Sequence, residues 1–145
     1  MKYDKSNIRV LPDDTDAFGR LNWIAYIRYC EEGEAGIMEM LGFSAMYFYK
    51  RFKISFPRRA ANFEYLSPVS PDSFIDLETE VEEVGKTSFT LSHVFYRKNR
   101  KEGERILAAK ARITIVAFDE QTNQKTDLPV QLRDSLRRFK AKTEG

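Results

Sequence analysis

Cysteine, histidine and tryptophan each occur once in these 145 residues, as Cys30, His93 and Trp23. A single cysteine excludes an internal disulfide framework and fits the reducing cytoplasm. No group of His, Cys, Asp and Glu has metal-ligand spacing, and no glycine-rich phosphate loop is present. The first residues, Met-Lys-Tyr-Asp-Lys-Ser-Asn, lack the apolar segment of a secretion signal, and no later run approaches the length of a membrane span. Repeats and low-complexity tracts are absent too. A formal net charge of +2 is nearly balanced, so no global field points to DNA or to an anionic membrane. Basic clusters such as Arg97-Lys98 read as solvated surface charge, and the signal for a coherent basic face with interleaved aromatics, as nucleic-acid binding would want, is weak.

What is present is a soluble globular composition, 42% apolar and 32% charged, most simply one domain over residues 1–145. A short strand is expected at residues 8–11. From Trp23 the apolar positions 23, 26, 27, 30, 37, 38 and 41 keep helical spacing and predict one wide buried stripe, closed by Gly42 as C-cap. Gly33 and Gly36 lie on its flank at roughly 1 kcal/mol each in a helix interior, a cost that close approach of a neighbouring backbone would justify. Ser44 caps a second short helix whose aromatics (Tyr47, Phe48, Tyr49, Phe52) pack on the core or line a pocket. Residues 60–66, 74–84, 87–97 and 105–118 alternate as strands, with turns at 85–86 and 99–103. Residues 120–127 form a polar loop, and a terminal helix starts near Leu128 with Pro129 in its first turn. The last few residues are expected to fray. One early helix followed by long antiparallel strands is an α+β order.

The stretch from Asp14 to Tyr26 is the one around which the chain is organised. Asp14 and Asp16 sit in a short loop that ends in Gly19, and Asn22 offers an N-cap just before the helix. A carboxylate is thereby held close to free N–H groups at the positive end of a helix, a combination suited to acyl transfer. From spacing alone, Asp16 reads first as the residue of an Asx turn before the helix, with Asp13 and Asp14 as solvated neighbours.

Asp14-Thr15-Asp16-Ala17-Phe18-Gly19, followed by Tyr26, resembles the signature of the hotdog-fold acyl-CoA thioesterases. The group is the one named for 4-hydroxybenzoyl-CoA thioesterase, which includes the short-chain acyl-CoA thioesterases encoded beside the Tol-Pal genes. The resemblance continues through residues 26–32, 63–69 and 85–89. It implies a curved antiparallel sheet wrapped around the long helix. It also implies that Asp16 acts on the thioester carbonyl as nucleophile or general base, that the Trp23 backbone N–H faces the thioester oxygen, and that Gly19 lets the loop approach the helix start. Tyr26 matches the family tyrosine, although a buried tyrosine with its hydroxyl paired to backbone satisfies the sequence as well. Lys86 matches a basic turn that contacts the nucleotide, and Arg58 and Arg59 are further candidates for the coenzyme A phosphates. Coenzyme A enters as part of the substrate, so no separate cofactor is expected. A homodimer or homotetramer with sites between subunits is implied.

Arg20 departs from the histidine that many relatives carry after the glycine. Glu34 departs too, near the centre of the stripe where relatives often have arginine. It is either an auxiliary base or the partner of an arginine such as Arg58, Arg59 or Arg112. His93 is expected to be structural, and Cys30, with no histidine nearby, a core residue. Two other readings keep the fold: a thioesterase for acyl-carrier-protein substrates, and a non-catalytic acyl-binding module in which Asp16 is only a turn residue.

Overall fold

The computed structural model describes residues 1–144; the expected C-terminal fraying falls partly on Gly145, outside the described residues. The chain runs β1 (Tyr3–Arg9), a 3-10 turn (Pro12–Asp14), α1 (Trp23–Leu41), α2 (Ala45–Phe52), β2 (Ile54–Ser55), β3 (Arg58–Tyr65), β4 (Phe74–Val84), β5 (Ser88–Lys98), β6 (Ile106–Asp119), β7 (Gln124–Thr126) and α3 (Val130–Glu144). The sheet is antiparallel throughout, with β1, β4, β5 and β6 side by side and β3 paired to the outer side of β6. The long helix lies on its inner face, which is the hotdog arrangement.

The three long strands form where the alternation was expected. β4 and β5 send Ile75, Leu77, Val81, Leu91 and Phe95 under α1, all of them buried. β1 begins five residues before the strand expected at 8–11. Its Tyr-Asp-Lys-Ser-Asn run has no apolar alternation to read; pairing with β4 makes it a strand. Two anchors hold it. Tyr3 pairs with Thr79, and a bulge at Asn7 (φ 61°) lets the Asn7 N–H donate to Asp76 Oδ1 at 2.9 Å. Asp76 is itself buried beside Lys98, whose Nζ lies 2.9 Å from Asp76 Oδ1 and donates to Asn7 Oδ1 and the Lys101 carbonyl. Lys98 is thus an internal charge rather than the surface one its basic neighbourhood suggested. β7 occupies part of the expected polar loop. The last helix starts at Val130, with the Pro129 carbonyl accepting the Arg133 N–H.

Both ends of α1 are capped as the sequence indicates. Asn22 accepts the Ile24 N–H at 2.9 Å, and Gly42 turns into the left-handed region (φ 86°). Its buried stripe is displaced from the expected one. Gly33 and Gly36 form part of the buried face instead of flanking it, whereas Trp23 and Ile27 are open to solvent at 61% and 38%. What approaches the two glycines is side chain rather than backbone. A methyl on Gly33 would overlap Thr79 Oγ1 and the His93 ring, and one on Gly36 would overlap the ring of Tyr3. Thr79 and His93 are themselves buried and hydrogen-bonded at 2.8 Å through Nδ1. In α2 the aromatics divide: Phe48 is fully buried, and Tyr47, Tyr49 and Phe52 remain more than a third exposed.

Gly33→Ala therefore destabilises the protein by about 2 kcal/mol, although alanine is favoured over glycine by about 1 kcal/mol in a helix interior. Urea unfolding checks this; a stabilised variant would mean that α1 has room to lift off the sheet.

Candidate functional site

Asp16 sits in a loop that its own backbone and carboxylate build. The Asp16 N–H donates to the Arg20 carbonyl at 2.7 Å, and Gly19 N–H donates back to the Asp16 carbonyl at 3.1 Å. Asp16 Oδ1 accepts the N–H groups of Phe18 at 2.8 Å and Arg20 at 3.1 Å. The Asx-turn geometry is therefore present, and it uses only one carboxylate oxygen: Oδ2 has no protein partner among the described residues. Gly19 is required for its left-handed backbone (φ 74°), since the space around it is open. This replaces the close-approach reason inferred from sequence.

The loop is fastened on both sides. The Leu21 N–H donates to the Val69 carbonyl, and Thr15 bridges to Leu21. Asp14 receives the Leu11 N–H and pairs with Arg28 on α1, and its carbonyl accepts the N–H of the capping Asn22. Asp14 is thus a fastening residue, not a solvated neighbour. Its partner lies 14 residues on, with no local pattern to announce it.

Asp16 and Trp23 line one surface cavity of about 350 Å³, together with Arg20, Tyr26, Tyr65 and Ser67. At the start of α1, Asn22 occupies the N–H groups of Ile24 and Ala25. The Trp23 N–H is left without a partner among the described residues, as the first amides of a helix commonly are. Tyr26 is buried, edge-on to Phe95 at 5.0 Å, and burial pushes its hydroxyl well above the ordinary tyrosine range. The backbone partner expected for that hydroxyl is not found among the described residues. Tyr65 and Ser67, within the stretch 63–69 that carries the resemblance, also line the cavity, Ser67 being fixed by donating to the Leu107 carbonyl and accepting from Arg97 Nε. Phe18, Ile24 and Leu66 are at least half exposed around it.

The remaining candidates lie elsewhere. Glu34 is partly buried on the edge of the stripe, not at its centre, and forms a two-pronged pair with Arg58 at the start of β3. Burial raises the Glu34 pKa, and the Arg58 charge and hydrogen bonds work against that rise. Arg59 is exposed, with no side-chain partner among the described residues. Lys86 turns between β4 and β5 at the end of the sheet where Ser88 pairs with Val116, while the Asp16 loop lies at the end where Phe95 pairs with Ala109. Within one chain, most of the 11-residue β5 separates them, roughly 25–30 Å at ~3.3 Å per residue. Among the described residues no group of three or more His, Cys, Asp and Glu is arranged to hold a metal, and no helix is long and apolar enough to cross a membrane.

Comparison with known proteins gives a consistent answer. The family model of the thioesterase-like superfamily matches residues 10–136. A 1,4-dihydroxy-2-naphthoyl-CoA hydrolase of Crocosphaera subtropica is 23% identical over 124 residues, covering 86% of this chain and 88% of its own. Among solved structures, a DHNA-CoA thioesterase from Staphylococcus aureus superposes with a TM-score of 0.84 at 18% identity, over 99% of this chain and 93% of that one. The 4-hydroxybenzoyl-CoA thioesterase of a Pseudomonas species gives 0.77 at 18% identity, over 94% and 96%.

Arg58→Ala leaves Glu34 partly buried without its counter-ion and costs about 1–2 kcal/mol. The cost shrinks at acid pH, because an unpaired buried carboxyl has its folded pKa above the unfolded one and regains stability as it takes up a proton. A double-mutant cycle with Glu34→Gln, followed by denaturant unfolding at pH 7 and pH 5, measures both effects.

Proposed function

The chain belongs to the thioesterase-like superfamily, and on that premise we propose that it hydrolyses an acyl-CoA thioester to the free acid and coenzyme A, with Asp16 as the reacting carboxylate. One observation carries the reading: Oδ1 of Asp16 is held by two backbone N–H groups, Oδ2 is free, and the same cavity is lined by the residue whose helix N–H is unpaired. A carboxylate oriented by one oxygen and reactive through the other needs no histidine. Relatives named as hydrolases of hydroxylated aromatic acyl-CoA thioesters support a thioester substrate.

Two routes use this geometry. Asp16 takes a proton from water while the hydroxide adds to the thioester carbon, or Asp16 Oδ2 itself adds and forms a mixed anhydride that water then opens. In both, negative charge develops on the thioester oxygen, where the Trp23 N–H at the positive helix end stabilises it. The carbon–sulfur bond breaks, and the coenzyme A thiolate leaves and takes up a proton. Neither route needs a cofactor beyond water.

The site is completed by a second copy. β3 is an edge strand, exposed along most of its length, and beside it lie the exposed Trp23, Ile24, Ile27, Tyr65 and Leu66. Antiparallel pairing of two such edges covers this apolar surface. It also carries the partner's Arg58–Arg59 end to the Tyr65 end of this chain. Arg59, and Lys86 from the same end of the partner's sheet, then become available to the phosphates of a coenzyme A bound at Asp16. The chain's single cysteine, Cys30, is unpaired, which fits a reducing cytoplasm; its buried thiol, pushed up to about 12 by burial, stays protonated and takes no part in either route.

Asp16→Asn keeps an oxygen to accept the two loop N–H groups and removes the carboxylate. Its turnover of short-chain and aromatic acyl-CoA thioesters falls on the order of a hundredfold or more, with KM little changed. Thiol release, measured beside the wild type, tests this; equal rates would remove Asp16 from the reaction. Sedimentation equilibrium gives at least twice the chain mass, and a monomer at all concentrations would defeat the shared site.

A further inference from the structure

The Asp16 cavity carries more positive charge than its single carboxylate balances. Asp16 and Arg20 are its only charged lining residues, and they do not pair. Asp16 Oδ1 takes the N–H groups of Phe18 and Arg20, and the Arg20 guanidinium makes no ion pair among the described residues. Asp14, fastened in the same loop, is taken by Arg28. The loop also fixes where the Arg20 side chain starts. Its N–H and its carbonyl are both spent on Asp16, at 3.1 and 2.7 Å, so the side chain grows from the rim of the cavity and stays exposed.

A second arginine stands behind the wall. Ser67 lines the cavity and gives its own proton to the Leu107 carbonyl, so its oxygen is left to accept. The donor it accepts from is Arg97 Nε, at 3.1 Å. Arg97 is half-buried at the end of β5, and the amino groups of its guanidinium have no partner among the described residues. Lys98, the next residue, is taken out of water only with Asp76 beside it; Arg97 is given no such carboxylate. A cation partly withdrawn from water without a counter-charge favours an anion that arrives with a ligand.

We propose that Arg20, with Arg97 behind Ser67, holds a carboxylate at the far end of a short acyl chain, so that the preferred substrates are coenzyme A thioesters of dicarboxylic acids such as succinate. This rests on the thioesterase reading and adds its substrate class. The phosphates of coenzyme A do not meet the need. The pantetheine arm, roughly 15 Å long when extended, holds them away from the carbon that Asp16 Oδ2 has to reach. What lies within reach is the acyl chain itself, and Leu21, Leu66 and Val69 give its methylenes an apolar wall. A carboxylate takes two parallel N–H donors of one guanidinium, a match that a hydroxyl or a methyl group does not make. Asp16 alone would repel such a substrate; two guanidinium groups reverse the sign of that field.

Calorimetric titration of the whole protein with S-(3-carboxypropyl)-CoA and S-butyl-CoA, uncleavable thioethers that share the coenzyme, tests the site without turnover. The wild type binds the carboxylated thioether about tenfold more tightly, and added salt narrows the gap. Arg20→Gln, at an exposed position, narrows it about threefold, and Arg20→Gln with Arg97→Gln removes it by weakening the carboxylated ligand alone. In turnover the wild type has a kcat/KM about tenfold higher for succinyl-CoA than for butyryl-CoA, carried by KM. The inference is overturned if the two thioethers bind alike, if butyryl-CoA is turned over as well as succinyl-CoA, or if the preference survives in the double variant. It is overturned too if the variants lose both thioethers equally, which would assign the arginines to coenzyme A or to the fold. The expected binding preference with no thioester turned over by the wild type would overturn the thioesterase reading and leave the carboxylate site standing.

Discussion

The height at which α1 lies above the sheet governs everything at the site. Two missing methyl groups set it. Gly33 lets the helix settle on the Thr79–His93 pair, and Gly36 lets it settle on the ring of Tyr3. Side chains wider than glycine would lift the helix, and with it the capped N-terminus that presents the Trp23 N–H. The same contact holds β1, whose Tyr3 fills the space under Gly36 and whose Asn7 is held by Asp76. An unremarkable N-terminal strand and the start of the candidate site are thus connected through one helix.

Much of this was legible in the sequence, and the reasons differ from part to part. Strands 4 to 6 could be read because one face of each is buried under α1, so that apolar residues alternate. The α1 caps could be read because Asn22 and Gly42 do chemically specific things at helix ends. β1 could not, since its stability comes from pairing with β4 and from the hold that buried Asp76 and Lys98 take on Asn7, residues up to 91 positions apart. Lys98 shows the same limit: a lysine in a basic run reads as solvated until a distant aspartate is folded against it.

The Asp16 loop stands between these cases. Its motif was recognisable, and its turn-forming and chemical readings, which compete when only spacing is known, are compatible in the fold: the turn uses Oδ1 alone and leaves Oδ2 for the proposed chemistry. Gly19 was singled out for proximity and is needed for its dihedral angle, a distinction that composition cannot make. Glu34 fell near the stripe centre by counting, but a helix resting on two glycines rotates its buried face toward them and moves Glu34 to the edge, within reach of Arg58. Lys86 lies far from Asp16 within one chain for a topological reason: a hairpin turn lies at one end of its strands, and the acidic loop closes the other, so the proposed contact with the nucleotide is one made across two copies.

Trp23 has one more property. It is the chain's only tryptophan, it is 61% exposed, and it lines the same cavity as Asp16. All indole emission of the chain therefore comes from a single address. Whatever dries, crowds or quenches that ring alters the fluorescence of the entire molecule, undiluted by any second indole. The protein carries its own optical reporter, fixed at the place where its chemistry is proposed to occur.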